Sequence, residues 1–157
     1  MNNTKHPPIL IPERVEFLKK IESKKCVFDS LTNLLEKGQS EISRHEIFDA
    51  LIAREKLGNT YIGNGIALPR ADLEITHPRA ALLVLKQGIQ LGSADKKGIN
   101  LFLAILIPTS EQSIYSLLLS EFNKKMLLEN DLQSMVKLRN TEKIAEYFDN
   151  LLKNSIS

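Results

Sequence analysis

The sequence predicts an α/β domain in which a mixed β-sheet is flanked by helices. Three observations carry that expectation. Ala80-Ala81-Leu82-Leu83-Val84-Leu85 and Leu101-Phe102-Leu103-Ala104-Ile105-Leu106-Ile107 are apolar on both alternating faces, as strands buried from both sides must be. Segments with helical spacing and capping signals stand on either side of these runs. A length of 157 residues suits one domain with a core of its own.

In chain order, residues 1–8 read as a flexible N-terminal tail, since polar residues and the Pro7-Pro8 pair offer nothing to pack. Residues 9–153 then form the single domain. A helix is expected over 24–37, where Val27, Leu31, Leu34 and Leu35 recur at helical spacing between a Ser23 cap and a Gly38 stop. A second is expected over 44–56, opened by the capping box Ser43-Arg44-His45-Glu46, with Ile47, Ala50, Leu51 and Arg54 on one face. The stretch 86–98 connects the two apolar runs and has room for a short strand near Ile89–Leu91. After Pro108, Thr109-Ser110-Glu111-Gln112 reads as another capping box, opening a helix striped by Ile114, Leu117, Leu118 and Phe122. A shorter helix is expected near 127–138. The last, from Thr141 to about Leu152, carries Ile144, Phe148, Leu151 and Leu152. Such alternation within one domain argues for a mixed sheet covered by helices.

Composition narrows function without naming it. Hydrophobic residues at 43% and charged residues at 25% are ordinary for a globular protein. A net charge of +2 with no long basic run gives a nucleic-acid surface no support. The run from Leu101 to Ile107 is too short to span a bilayer, and the N-terminus lacks the apolar core of a signal peptide. Cys26, the single cysteine, fits a reducing compartment. The expected location is therefore the cytoplasm.

The most informative segment is 58–73, Gly-Asn-Thr-Tyr-Ile-Gly-Asn-Gly-Ile-Ala-Leu-Pro-Arg-Ala-Asp-Leu. A Walker-type loop would need Lys and Ser or Thr after Gly63, where Asn64 and Gly65 stand. A dinucleotide fingerprint starting at Gly63 would need glycine at position 68, which is Leu68. Local evidence favours a hairpin turn at Asn64-Gly65 between Thr60-Tyr61-Ile62 and Ile66-Ala67-Leu68.

The segment, with Ala50 to Gly58 before it and the two apolar runs after it, resembles the IIA components of the bacterial phosphoenolpyruvate-dependent phosphotransferase system. The likeness is to the fructose/mannitol and nitrogen-regulatory branch, called EIIA type 2, and covers roughly residues 9–150. In that family a histidine after the proline accepts a phosphoryl group. Here Arg70 stands in its place, and Tyr115 stands where a second histidine would be. Arg54, matching an arginine that steadies phosphate charge, and the Gly63-Asn64-Gly65 turn are retained. Asn59-Thr60-Tyr61 replaces the usual Ser-Thr-Gly.

The resemblance therefore implies a phosphoryl and partner site built from Arg54, Gly63, Asn64, Gly65, Arg70 and Tyr115, with its acceptor missing. A neutral imidazole offers a lone pair to phosphorus near physiological pH. A guanidinium has its lone pairs delocalised and stays protonated to above about pH 12. A phenol titrates only near about pH 10 when unperturbed. Two readings of Arg70 stay open: with Arg54 it binds an anion, or it pairs with Asp72 or another carboxylate.

The other candidates carry less. His6 lies in the tail, His45 on a helix's solvated first turn, and His77 in a loop before Pro78. No spacing among them suggests a metal site, and no cofactor is implied. Cys26 follows Lys24 and Lys25 near a helix start, and reads as a semi-exposed free thiol. The expectation is a nitrogen-regulatory IIA-like protein that binds regulatory or transport proteins, with the phosphocarrier HPr a further possible partner, and no phosphoryl transfer at the usual site. The alternatives are an active phosphocarrier using His77 or Tyr115 as acceptor, and a small-anion sensor using Arg54 and Arg70.

Overall fold

The computed structural model describes residues 7–91, 98–128, 132–137 and 139–156. In chain order the elements are β1 (Val15–Leu18), α1 (Lys24–Glu36), α2 (Arg44–Lys56), β2 (Tyr61–Gly63), β3 (Ile66–Ala67), β4 (Arg70–Leu73), β5 (Arg79–Ile89), β6 (Ile99–Pro108), α3 (Gln112–Leu128), α4 (Leu132–Lys137) and α5 (Thr141–Ile156). Short 3-10 turns occupy Pro12–Arg14 and Thr109–Glu111.

Each face of the two long apolar strands needs a dry neighbour, and that requirement builds the centre of the molecule. β5 and β6 pair antiparallel in the middle of a six-stranded sheet ordered β1-β5-β6-β3-β2, with β4 also paired to β6. Ala80, Leu82, Val84, Leu101, Leu103, Ile105 and Ile107 face one cluster, which Phe122, Met126, Ile144, Phe148 and Leu152 of α3 and α5 complete. Ala81, Leu83, Leu85, Phe102, Ala104 and Leu106 face the other, closed by Val27, Phe28, Leu31, Leu35, Ile47 and Leu51 of α1 and α2. β1 runs parallel to β5, and β3 and β4 run parallel to β6, while β2 pairs antiparallel with β3 and β5 antiparallel with β6. The sheet is mixed, as expected, with helices on both sides.

β3 and β4 are two stretches of one line beside β6, in register Ile66↔Leu101 and Arg70↔Ile105. Pro69 lies at the break, where its missing N–H cannot serve a ladder. Its carbonyl still accepts from Ile105 N at 2.9 Å, while Leu68 N turns to Thr60 O at 2.9 Å. Arg70 is thereby set at the head of a new strand.

Of the three caps expected from the sequence, two form. Ser23 Oγ accepts from Cys26 N, and Ser43 with Glu46 forms both bonds of the capping box. Ser43→Ala is expected to lower unfolding stability by about 1 kcal/mol in urea titration, leaving the slope unchanged. The box expected at Thr109-Ser110-Glu111-Gln112 does not form. Thr109 itself enters a 3-10 turn, Pro108 holds the extended position before it, and no side chain caps that turn.

Other boundaries also differ. No separate strand occupies Ile89–Leu91; β5 runs on to Ile89, which meets Ile99 after a register shift beyond Val84. Of the helix expected near 127–138, α3 reaches Leu128 and α4 covers Leu132–Lys137, while residues 129–131 and 138 lie outside the described residues. α5 extends past Leu152 to Ile156. Of the α3 stripe, Phe122 is buried, while the side chains of Ile114, Leu117 and Leu118 lie outside the described residues. Residues 1–6 of the expected tail lie outside them too.

β1 and β4 carried no sequence prediction. Each is four residues long, too short for a period to register. Nor did anything single out Arg14, which is buried. Its Nε donates to Ala80 O at 2.9 Å, Nη2 to Ile9 O at 3.0 Å and Nη1 to Lys37 O at 3.4 Å. Burial, then the charge of Arg79, pushes it down to about 10, so it remains charged at neutral pH. Beside it, Asp149 of α5 accepts from Ile9 N and Leu10 N, tying the entering chain to the last helix.

Candidate functional site

The segment 54–70 is held together by its own side chains. In the last turn of α2, Arg54 Nη1 donates to Gly58 O at 2.9 Å, fastening the chain as it leaves the helix. The mostly buried Glu55 carboxylate accepts from Thr60 Oγ1 at 3.0 Å and Thr60 N at 3.4 Å, and meets Lys24 Nζ at 3.6 Å. Asn59 Oδ1 accepts from Tyr61 N at 3.1 Å, an Asx turn that starts β2.

The hairpin read from Asn64-Gly65 is present, with Tyr61 opposite Ala67. Asn64 at φ 55° and Gly65 at φ 77° both sit in the left-handed region, as the favoured two-residue hairpin turn requires. Gly65 N donates to Tyr61 Oη at 3.2 Å, and Gly65 O accepts from Asn100 N and Leu101 N. A Cβ at position 65 would lie 2.6 Å from Asn100 Oδ1. Glycine is therefore favoured by torsion, and any larger residue would also have to displace the Asn100 side chain.

Glu55, Tyr61 and Asn100 were not among the residues picked from sequence. Glu55 accompanies Arg54 in the motif, but nothing in the spacing says that its carboxylate closes on Thr60. Asn100 lies thirty-odd residues from the turn it supports, and only the pairing of β3 with β6 brings them together.

Arg70 is half-buried at the head of β4. Burial first, and then the charge of Arg54, hold its guanidinium below the usual arginine range, with Asp72 acting in the opposite direction. The structure thus brings Arg54 and Arg70 within electrostatic reach of each other. Among the described residues neither has a carboxylate within the 4.0 Å of an ion pair. The pairing of Arg70 with Asp72, one of the two readings of this residue, is thus not formed as a contact.

The register sets Arg70 opposite Ile105, on the side of the sheet where Tyr115 is buried. Tyr115 lies in the first turn of α3 and donates its hydroxyl to Glu111. Burial, then that bond and the Glu111 charge, push the phenol upward from its ordinary value. Because its native value exceeds the unfolded 10.0, Tyr115 contributes stability that is complete below pH 10 and is lost as pH rises through the native value. Tyr115→Phe should flatten that alkaline decline in urea titrations run across the range. An unchanged decline would show that other groups cause it.

His77 is exposed in the segment beyond the far end of β4 from Arg70, next to Thr76, whose N–H and hydroxyl both donate to the Glu41 carboxylate. His45 lies 3.1 Å from Asp49 on the exposed face of α2. Cys26 is a half-buried free thiol, and His6 lies outside the described residues. Among the described residues no cluster of His, Cys, Asp and Glu could hold a metal, and no helix is long and apolar enough to cross a membrane.

Residues 8–151, nearly the whole chain, match the family described as phosphoenolpyruvate-dependent sugar phosphotransferase system, EIIA 2. The chain belongs to that family. Among its EIIA 2 relatives, a nitrogen regulatory protein homolog of Haemophilus influenzae is 30% identical over 145 residues, covering 90% of this chain and 88% of the relative. The nitrogen regulatory protein of Escherichia coli is 32% identical over 107 residues, 67% of this chain and 65% of that one. The crystal structure of IIA-Ntr from Neisseria meningitidis superposes with a TM-score of 0.76 at 25% identity, over 92% of this chain and 96% of the other. The E. coli IIA mannitol structure shares the fold, with a TM-score of 0.57 at 21% identity over 70% and 79% of the two chains. This EIIA 2 protein is of the nitrogen-regulatory, IIA-Ntr-like kind, a family membership that points to interaction with other phosphotransferase-system or regulatory proteins.

Proposed function

We propose that this chain is a nitrogen-regulatory-type IIA protein that takes no phosphoryl group at the usual position and works in the cytoplasm by binding regulatory partner proteins. The observation that carries the reading is Arg70 at the head of β4, in the acceptor position that follows Pro69. A protonated guanidinium is a far poorer nucleophile toward phosphorus than a neutral imidazole, and its charge is opposite in sign to that of a phosphohistidine. The site is thereby held in the electrostatic condition of an unphosphorylated relative, whatever the supply of phosphoenolpyruvate.

The neighbouring groups support the same conclusion. Tyr115 is buried, bound to Glu111 and shifted away from ionisation, which weakens it as a nucleophile. The Gly65 N–H, a donor that could have met a phosphate oxygen, is taken by Tyr61 Oη. Arg54 gives one of its N–H groups to Gly58 O. Incubation with phosphoenolpyruvate, enzyme I and HPr, followed by intact mass, tests the reading. The expected mass is unchanged, and a gain of one phosphoryl group would overturn it.

A further inference from the structure

We propose that β4 is an edge for self-association, on which the strand Arg70–Leu73 pairs antiparallel with the same strand of a second copy of this chain. Arg70 then stands opposite Asp72 of the second copy on either side of the two-fold axis. The pairing does not depend on the reading above.

Among the described residues β4 has a strand on one side only. β3 and β4 share one line beside β6, and β2 pairs with β3 but not with β4. The ladder fixes which backbone groups are left over. Ile105 N donates to Pro69 O, and Arg70 is in register with Ile105 and Asp72 with Ile107. In a parallel ladder of that register, Ala71 and Leu73 turn their N–H groups to β6. Arg70 and Asp72, which alternate with them, turn both N–H and C=O outward. Leu68, the preceding outward residue, gives its N–H to Thr60 O at 2.9 Å, while Gly58 is already bonded to Glu55 O at the end of α2. No described group meets the outward backbone of Arg70 or Asp72. Such an edge is a template for another strand.

Charge complementarity selects a second copy as that strand. Arg70 and Asp72 are two residues apart, so their side chains share one face of the sheet. Asp72 is exposed and Arg70 half-buried, and neither has an ion pair within its own chain among the described residues. An antiparallel copy centred on Ala71 brings each outward residue against the other type, and each such pair exchanges both of its backbone bonds. Side chains directly opposed in this way stand about 5 Å apart at Cβ, within reach of an ion pair. Ala71, on the axis, turns its small side chain to the α1 and α2 cluster, and is narrow enough for the close approach. The strand thus carries its own complement, as a two-fold interface requires. It is only four residues long, so a weak dimer is expected, with Kd about 100 µM. Because Arg70 holds the acceptor position, the dimer covers the site. On the reading above, regulatory partners that use the site then meet only the monomer.

Analytical ultracentrifugation of the full chain from about 5 µM to about 1 mM tests the pairing, with conversion of monomer to dimer expected across that range. Raised salt should weaken the dimer. Hydrogen exchange should show the Arg70 and Asp72 amides fast in the monomer and slow in the dimer, with Ala71 and Leu73 protected in both. Arg70→Asp and Asp72→Arg each oppose like charges across the axis and should be monomeric. An equal mixture of the two variants should dimerise, because every opposed pair is again of unlike charge. Circular dichroism checks the fold of each. If Arg70→Asp does not fold, the exposed Asp72 carries the test: Asp72→Arg should abolish the dimer, and Asp72→Asn should raise its Kd about fivefold. A monomer at every concentration, which would leave the edge to a strand of another protein, overturns the proposal. So does a dimer indifferent to Asp72→Arg, a dimer whose Arg70 and Asp72 amides stay unprotected, or a mixture of folded variants that fails to associate. A phosphoryl gain in the mass assay would remove the reading above and leave the dimer. An unchanged mass with a persistent monomer removes the dimer alone.

Discussion

Arg70→His combined with Tyr115→His is expected to turn a chain that stays at its original mass into one that gains a phosphoryl group from HPr. The rest of the loop is still built. The Asn64-Gly65 turn keeps its left-handed torsions, Gly65 is pinned to Asn100 and Leu101, and Arg54 remains in reach of position 70. An imidazole at position 70 would begin β4 on the Tyr115 side of the sheet, where a second imidazole could steady it. Two other residues limit the gain. Tyr61 Oη holds Gly65 N, and Glu55 holds Thr60. Releasing the first bond with Tyr61→Phe should raise the rate of the double variant. A double variant that folds but stays inert would mean that HPr does not recognise this surface.

Arg14→Ala is expected to destabilise the protein by about 3 kcal/mol in urea unfolding. The removed side chain reaches carbonyls from the N-terminal segment, β5 and the end of α1. The loss is not total at each. Ile9 O still accepts from Ala80 N, and Lys37 O still accepts from Arg79. Ala80 O loses its arginine partner, and the space left by the side chain adds a cavity to the cost. Relief of burying a charge offsets part of this. Against a typical total of about 5–15 kcal/mol such a change is large. Arg14→Lys should recover little, since one ammonium cannot span three carbonyls as a planar fork does. A cost under about 1 kcal/mol would show that the desolvation offset dominates.

These two residues mark the limits of sequence reading. Arg70 could be singled out from the chain because residue type and motif position are enough to mark it. Arg14 could not: it is one arginine among several, and its importance comes from three carbonyls supplied by distant segments. The capping box at Ser43 formed because it depends on neighbours within one turn. The similar pattern at Thr109 failed because the strand ends at Pro108 and the chain tightens at once into a 3-10 turn.

Local periodicity and motif were enough to establish the two central strands, the hairpin at Asn64-Gly65, the principal helices and the family, since each depends on residues close together in the chain. Folding was needed to reveal which helices cover which face, that Glu55, Tyr61 and Asn100 clamp the loop, and that Arg54 and Arg70 feel one another. Those facts arise from contacts between segments far apart, and the energies of burial and charge that decide them exist only once the chain has closed on itself.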